Sequence, residues 1–423
     1  MKIDYAALLN RKPIKGKMRE IARFIKGKTI LVTGGGGSIG SELCRQIAAR
    51  KPKRLIIFDI YENNAFAIQQ ELLDTYKDLD LVVLIGSVRD TRRINQVFAT
   101  YRPDVTYHAA AHKHVPLMED SAAEAIKNNA IGTYKTAYAA MAYGCKRFVL
   151  VSTDKAVNPT NIMGASKRIC EMIIQSFDAK IKNGTAHTIP PLHVHHEDPS
   201  GTMRGMDMPI VNPVTEFVAV RFGNVLGSNG SVVPTFLEQI ANGGPVKVTS
   251  LKITRYFMLI PEAVSLVLQA GVYAEGGEIF VFNMGKPVRI VDMARKLIVM
   301  CGKSLDEIKI EVMGLRPGEK EFEETLMQGE LEKTKHRVIF VGKTLEFDYD
   351  TFLNGMQELM ALAYGYTGED DAENNKAIRD QVKTMVKTYK PQQDQVDKAN
   401  NEPTKKGKRK NTSENEERIL VNV

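Results

Sequence analysis

The run Ile30-Leu31-Val32-Thr33-Gly34-Gly35-Gly36-Gly37-Ser38-Ile39-Gly40 decides the fold. A short apolar strand enters a glycine-rich turn, and an amphipathic segment, Ser38–Arg50, follows at once. Gly34, Gly37 and Gly40 have the spacing G-x-x-G-x-x-G. Glycine lets a backbone turn tightly and approach a pyrophosphate, and the helix that follows aims its N-terminal amides at the charge. Gly34, Gly37, Ser38, Ile39 and Gly40 are therefore candidates for the phosphate cradle of a dinucleotide.

The alternation continues outward from this turn. Strands are predicted at Arg54–Asp59, Asp80–Ile85, Val105–His108 and Phe148–Ser152, with helical segments such as Asn63–Tyr76 and Arg92–Tyr101 between them. Val149-Leu150-Val151 is a continuous apolar run, as in a strand buried on both faces. Strand–helix alternation with right-handed crossovers predicts an α/β protein, a Rossmann-type doubly wound parallel sheet, with a smaller C-terminal α/β substrate-binding subdomain. Asp59 ends the second strand, nineteen residues after Gly40. A carboxylate there accepts from an adenosine ribose and repels a 2′-phosphate, which favours NAD, with NADP left open by nearby Lys and Arg. Ser87 and Val88 follow the third strand, where the adenine is expected, and Ala109 and Ala110 follow the fourth as further cofactor contacts.

The chain has 423 residues, 43% hydrophobic and 26% charged, which excludes a disordered or fibrous chain and allows two or three domains. The net charge of +8 is uneven: residues 1–28 hold nine Lys or Arg against Asp4 and Glu20. Such an end can bind nucleic acid, an anionic membrane or nothing. No apolar run is long enough to span a bilayer, and Ile260–Ala274, broken by Glu262 and Gln269, reads as a core helix. Cys44, Cys145, Cys170 and Cys301 form no close pair, so a reduced, cytoplasmic compartment is expected. The predicted organisation is a basic lead-in (1–28), a cofactor-binding domain (29–215) with an insertion at 181–213, a substrate-binding subdomain with a returning strand (216–345), and a C-terminal helix with a charged tail (346–423). His193-Val194-His195-His196-Glu197-Asp198 has metal-ligand spacing, but nothing else in the sequence demands a metal, and a mobile lid or interface insertion is the expected reading. Lys405–Lys410 is basic but flanked by Glu402 and Glu414, and no nucleic-acid recognition fold accompanies it.

After the fifth strand comes Ser152-Thr153-Asp154-Lys155-Ala156-Val157-Asn158-Pro159-Thr160-Asn161-Ile162-Met163-Gly164-Ala165-Ser166-Lys167. Thr153, Asp154 and Lys155 bring a hydroxyl, a carboxyl and an amine to a strand's carboxyl end, where open α/β sheets bind ligands. With His108–Pro116, Arg221–Ser228, Thr254–Phe257 and Gly314–Lys320, this segment resembles the CapD/FlaA-like extended short-chain dehydrogenases, the nucleotide-sugar 4,6-dehydratases of polysaccharide and glycan biosynthesis. The resemblance covers roughly residues 5–345.

That resemblance implies an NAD-dependent UDP-GlcNAc 4,6-dehydratase. The reaction removes hydride at sugar carbon 4, eliminates water across carbons 5 and 6, and returns hydride to carbon 6, giving a UDP-4-keto-6-deoxy-HexNAc. Many short-chain dehydrogenases place Tyr four residues before Lys; here Met163 precedes Lys167, and Met is neither acid nor base. The membrane-linked branch of the family also carries Met, so the carbon-4 proton falls to Thr153 or a water. Lys167 would bind the nicotinamide ribose. Lys155 is the candidate base at carbon 5, needing a lowered pKa, and Asp154 the acid for the hydroxyl on carbon 6, with the two roles exchangeable. Asn224, Arg255 and Arg316 are candidates for the diphosphate and sugar, Val248 for the uracil, Glu319 for a ribose hydroxyl, and His112, Lys113 and His114 for the sugar. Long members carry N-terminal transmembrane helices, so this chain is expected to begin at the linker after them, as a natural or shortened soluble form. The basic lead-in would then touch an anionic membrane, and a homo-oligomer is expected. Other readings are a carbon-5-inverting dehydratase, a UDP-sugar epimerase, and an NAD-sensing regulator or scaffold.

Overall fold

The computed structural model describes residues 3–9, 11–192, 210, 212–324, 331–342, 346–365 and 371–392, with the backbone alone for 371 and 372. Helices α1 (Tyr5–Leu9) and α2 (Met18–Ile25) lead into β1 (Thr29–Thr33), α3 (Ser38–Ala48), β2 (Arg54–Asp59), α4 (Glu62–Thr75), β3 (Leu81–Ile85), α5 (Thr91–Tyr101) and β4 (Val105–His108). Next come α6 (Val115–Asp120), α7 (Ala122–Ala125), a π-helical turn (Ile126–Ile131), α8 (Gly132–Ala142), β5 (Arg147–Val151), a 3-10 turn (Asp154–Ala156) and α9 (Ile162–Lys182). The chain continues with β6 (Glu216–Arg221), β7 (Asn224–Leu226), α10 (Val232–Ala241), β8 (Val246–Val248), β9 (Thr254–Arg255), β10 (Phe257–Leu259) and α11 (Ile260–Tyr273). It ends with β11 (Ile279–Phe282), β12 (Val288–Arg289), α12 (Ile290–Met300), β13 (Ile310–Val312), β14 (Leu331–Lys333), β15 (Ile339–Gly342), α13 (Tyr349–Tyr364) and α14 (Asp371–Met385).

Nine strands form one sheet in the order β14-β15-β11-β6-β5-β4-β1-β2-β3. From β3 to β11 all pairings are parallel, and β15 and β14 close the edge antiparallel. The strand order reverses between β1 and β4, where Thr33 lies beside His108. Alternate residues of β1 serve opposite faces: Leu31 packs with Phe98, Tyr134 and Ile173, while Ile30 and Val32 pack with Leu43, Ile47 and Val267. Each such buried side chain contributes about 1.5–3 kcal/mol. The Ile260–Ala274 stretch is a buried core helix, as its interrupted apolar pattern suggested.

Two organisational details differ from the expectation. Four strands of the 216–345 stretch, not one, return to the large sheet, because β6 and β11 are apolar on both faces. The rest of that stretch builds a third cluster around Val233, Phe236, Val248 and Leu297. The basic lead-in is folded onto the body: Ile21 and Ile25 are buried, and Arg11 pairs with Glu262 at 2.5 Å. Among the described residues, no helix is long and apolar enough to cross a membrane. The His193–Asp198 stretch and Lys405–Lys410 lie outside the described residues.

A charged knot lies beneath the carboxyl ends of β5 and β6. Glu171 of α9, completely buried, accepts from Arg221 at 2.6 and 2.5 Å, from Arg168 at 3.0 Å and from the Ser152 hydroxyl at 2.7 Å. Burial alone would raise its pKa, but Arg221, Arg168 and Ser152 hold the carboxyl below its usual range. Replacement by Leu strands two buried guanidinium groups, so Glu171→Leu should cost about 3–5 kcal/mol in urea unfolding. Breaking the exposed Arg45–Glu71 pair (2.6 Å) by Arg45→Ala should cost at most about 1 kcal/mol. Because the folded pKa of Glu171 is depressed, its contribution is present above the unfolded pKa and is lost as pH falls through the folded one.

Candidate active site

The glycine turn lies at the point where the strand order reverses. Gly34 has φ +68, and a Cβ there would come within 2.7 Å of the Ala110 backbone. A Cβ on Gly40 would lie 2.0 Å from the Gly34 carbonyl oxygen, so these two glycines are required by close packing. A Cβ on Gly37 would meet only that oxygen, at 3.2 Å. Gly37 opens α3, whose N-terminus has no side-chain cap and no acid in its first turn. An open face, free amides and no competing carboxylate fit an anionic pyrophosphate.

Asp59 is buried and accepts from the Gly36 amide at 2.8 Å and the Tyr61 amide at 2.8 Å, which fixes it beside the turn. Ser38 Oγ accepts from the Asn229 amide at 3.1 Å, so the turn also touches the loop after β7. Ile39 is half-buried beside the apolar cluster of Leu43 and Ile47. Ala109 donates its amide to Thr33 O at 3.0 Å, next to Ala110. Val88 turns inward against Gly132, leaving Ser87 and the local backbone at the surface. Below the turn, His108 bridges Thr33 (2.7 Å) and Thr133 (3.0 Å); burial, with Lys167 nearby, pushes its pKa down to about 3, so it is neutral.

Thr153, Asp154 and Lys155 leave β5 together. Thr153 Oγ1 donates to Asp154 Oδ1 at 2.9 Å, and Lys155 Nζ donates to the same oxygen at 3.0 Å and to Asn224 Oδ1 at 3.2 Å. Asp154 is 1% exposed, and its other oxygen is buried without a hydrogen-bond partner, 2.9 Å from where a Cβ on Gly223 would lie. Burial pushes the Lys155 pKa down, but Asp154 and Glu323 outweigh it, and the net shift is upward. The lowered pKa expected of a carbon-5 base is therefore not a property of the unliganded site: two carboxylates hold the ammonium.

Met163 and Lys167 lie on the first turns of α9. Met163 is packed in the core. Lys167 is 4% exposed, and its ammonium has no hydrogen-bond partner among the described residues, which suits a ribose-binding cation.

The sugar-nucleotide candidates divide into groups. Lys113 donates to Asn229 O at 2.7 Å, His114 lies against Gly230, and His112 is exposed. Burial, Lys113 and Arg316 lower the His114 pKa, so a neutral imidazole shares one neighbourhood with two cations. Arg316 is largely exposed and pairs with Glu319 at 3.4 Å. Arg255 is 6% exposed, and its guanidinium donates to the carbonyls of Thr254, Glu321 and Lys320 at 2.8, 3.1 and 2.7 Å. Its donors are spent on folding the 314–324 segment rather than presented to a diphosphate. Val248 turns into the third core cluster, so only the β8 backbone is available to flank a base.

Three residues of this region were not foreseen. Glu323 reaches to 3.5 Å from Lys155 Nζ and 3.8 Å from Arg255 Nε. Nothing in Glu319–Glu324 distinguishes which of its four glutamates turns inward. Glu171 supports Ser152 from below, and Asn129, in the π-helical turn, clasps the His112 backbone (2.8 and 3.0 Å) and Ser166 (2.9 Å). Asn129 follows Lys127 and Asn128 directly, so its polarity gave no sequence signal of its own.

A family described as "Polysaccharide biosynthesis protein" matches residues 30–344, a stretch that holds the glycine turn, Thr153-Asp154-Lys155 and the 314–324 segment. The chain belongs to that family. It is 48% identical over 344 residues to the capsular polysaccharide biosynthesis protein CapD of Staphylococcus aureus, covering 81% of this chain and 52% of that protein. The chain thus spans about half the length of that relative. It is 31% identical to a UDP-N-acetylglucosamine 4,6-dehydratase (inverting) of Campylobacter jejuni, over 70% of this chain and 76% of that one. The solved structure of Pen from Bacillus thuringiensis superposes with a TM-score of 0.63 at 32% identity, covering 75% of this chain and 90% of that chain.

The glycine geometry separates packing from binding. Gly37→Ala should lower the melting temperature less than Gly40→Ala, yet raise the Kd for NAD at least about tenfold in calorimetry, since its methyl meets only the Gly34 oxygen and otherwise faces outward. Gly40→Ala should lower both stability and affinity. Equal effects of the two changes would refute this division.

Proposed function

We propose that the chain is an NAD-dependent UDP-GlcNAc 4,6-dehydratase that makes a UDP-4-keto-6-deoxy-HexNAc for polysaccharide assembly. The observation that carries the reading is the hydroxyl–carboxyl–amine chain Thr153–Asp154–Lys155, linked at 2.9 and 3.0 Å above the glycine turn. Residues 29–215 would hold the cofactor and 216–345 the sugar nucleotide. When bound, the nicotinamide accepts a hydride from carbon 4 and returns it to carbon 6. Asp59 would hold the adenosine ribose and Lys167 the nicotinamide ribose. Lys113 and Arg316 would supply positive charge for the diphosphate, His114 a neutral hydrogen-bonding ring, and Glu319 a carboxylate for the uridine ribose.

With Met163 inert, the proton of the carbon-4 hydroxyl leaves through Thr153 Oγ1 to Asp154. Lys155, once deprotonated, takes the proton of carbon 5, made acidic by the adjacent ketone. Asp154 passes its proton to the hydroxyl on carbon 6, which departs as water. After hydride reaches carbon 6, Lys155 Nζ returns a proton to carbon 5, and both residues regain their starting charge. Asp154 and Glu323 keep Lys155 cationic, so one proton must leave the amine before the step at carbon 5.

The name of the Campylobacter jejuni relative supports carbon-5 inversion as a second reading of the same site. A cytoplasmic homo-oligomer, with the basic lead-in near an anionic membrane, accompanies the proposal.

The test is incubation with UDP-GlcNAc and NAD in deuterated water, followed by NMR. A 4-keto-6-deoxy sugar with deuterium at carbon 5 is expected, and the ring couplings report retention or inversion. Unchanged substrate from folded, NAD-loaded protein would sink the assignment in favour of another UDP-sugar or a sensing role. Asp154→Asn should lower kcat at least about 100-fold while NAD affinity holds.

A further inference from the structure

Glu323 belongs to none of the motifs that suggest the reaction, yet its side chain is 5% exposed and directed at the amine of Lys155. Among the described residues its carboxylate meets only cations, Lys155 at 3.5 Å and Arg255 at 3.8 Å. A carboxylate removed from water is costly unless it is paired, and here both partners are cations held by other elements, so the position of its segment decides whether the pairing is made.

That segment is fixed at several points. Phe322 bridges to Thr254, and Arg255 donates to the carbonyls of Lys320 and Glu321. Lys320 Nζ donates to Asn158 O at 2.8 Å, and Asn161 Nδ2 donates to Gly318 O at 3.0 Å. The last two contacts tie it to the loop between Lys155 and α9. The Glu323 backbone is therefore registered against the catalytic turn from both sides.

We propose that Glu323 is a positioning residue for Lys155, delivered by the 314–324 segment to share the lysine's ammonium with Asp154. The inference rests on the dehydratase reading, in which Lys155 works at the reacting carbon. The groups facing Lys155 are Asp154 from its own turn, Glu323 from the 314–324 segment, Arg255 from β9 and neutral Asn224 from β7. Asp154 and Glu323 stabilise the ammonium and Arg255 opposes it. Segment placement and the charge state of Lys155 are thus coupled: with Glu323 seated the amine is anchored and protonated, and with it withdrawn the amine is freed toward the neutral form a base requires.

Loss of the Glu323 charge lowers the pKa of Lys155, so the acidic limb of the rate profile moves to lower pH. A nearby opposite charge shifts a pKa by about 1–3 units. The experiment uses the full chain as wild type, Glu323→Gln and Glu323→Asp. It measures kcat and kcat/KM for UDP-GlcNAc across pH, with melting temperature as control. In parallel, reductive methylation at a series of pH values, read by mass spectrometry at Lys155, titrates the amine without turnover.

For Glu323→Gln we expect both the acidic limb and the labelling midpoint to fall by about 1 unit or more. Glu323→Asp should restore most of the shift. Wild-type midpoints in Glu323→Gln, with a parallel loss of rate at every pH or a change in KM alone, would overturn the proposal. If the wild type makes no product but the labelling midpoint still shifts, the role of Glu323 stands and the substrate assignment falls. If the wild type turns over and the midpoint does not move, the reverse holds.

Discussion

Glu171 is a single carboxylate shared by three elements that must not move relative to one another. It belongs to α9, it binds Arg221 at the end of β6, and it accepts from Ser152 at the end of β5. The residues after those strand ends are Thr153–Lys155 and Gly223–Asn224, and α9 also carries Met163 and Lys167. A buried ion cluster has little net stability to offer, because desolvation consumes much of its Coulomb energy. What it offers is geometric: the acceptor geometry of one carboxylate admits few arrangements of two guanidinium groups and a hydroxyl. The 3.2 Å contact between Lys155 and Asn224, across two strands, is a consequence of that anchor.

A second layer of control comes from the C-terminal region, beyond the stretch the family match covers. Arg379 of α14 reaches Glu119, whose Oε1 accepts from the Ile162 amide at 2.7 Å, the first residue of α9. Farther on, the amides of Lys390 and Gln392 donate to Pro159 O and Thr160 O at 2.9 and 3.1 Å. The loop between the catalytic turn and α9 is therefore held from outside by the tail and from inside by Asn161 and Gly318. A loop so pinned keeps Lys155 and Lys167 in fixed relation, which a site without a tyrosine requires more than one that has it.

The sheet was legible because its evidence is local. Apolar runs bounded by glycine, and helical segments between them, give β1–β5 to within a residue at either end. That Thr153, Asp154 and Lys155 meet was legible for the same reason: three polar groups stand together at one strand end. The approach of Glu323 to Lys155 was not, since it comes from a fold that brings Thr254–Arg255 and Asn158–Asn161 against its segment, and its neighbours Glu319, Glu321 and Glu324 look alike in sequence. Arg255 shows the converse. Its motif suggested a diphosphate ligand, but the guanidinium is occupied by backbone carbonyls, and only the packed chain reveals that.

The charge of Lys155 shows why the missing tyrosine does not leave the site without a proton path. A tyrosine at position 163 would need an adjacent cation to ionise, and Lys167 would serve it. With Met163 in the core, the proposed reaction would leave Lys167 to the cofactor and send the carbon-4 proton into a different chain. That chain is already wired: Thr153 Oγ1 points its proton at Asp154 Oδ1, the oxygen that also receives Lys155. One carboxylate oxygen thus receives both a hydroxyl and an amine, while the other is buried without a partner. An unpartnered buried oxygen is costly, and a substrate hydroxyl placed against it removes that cost. Under the proposed reaction the hydroxyl on carbon 6 would be the group that meets this oxygen, so the same geometry that holds Thr153, Asp154 and Lys155 together would also favour the proposed substrate.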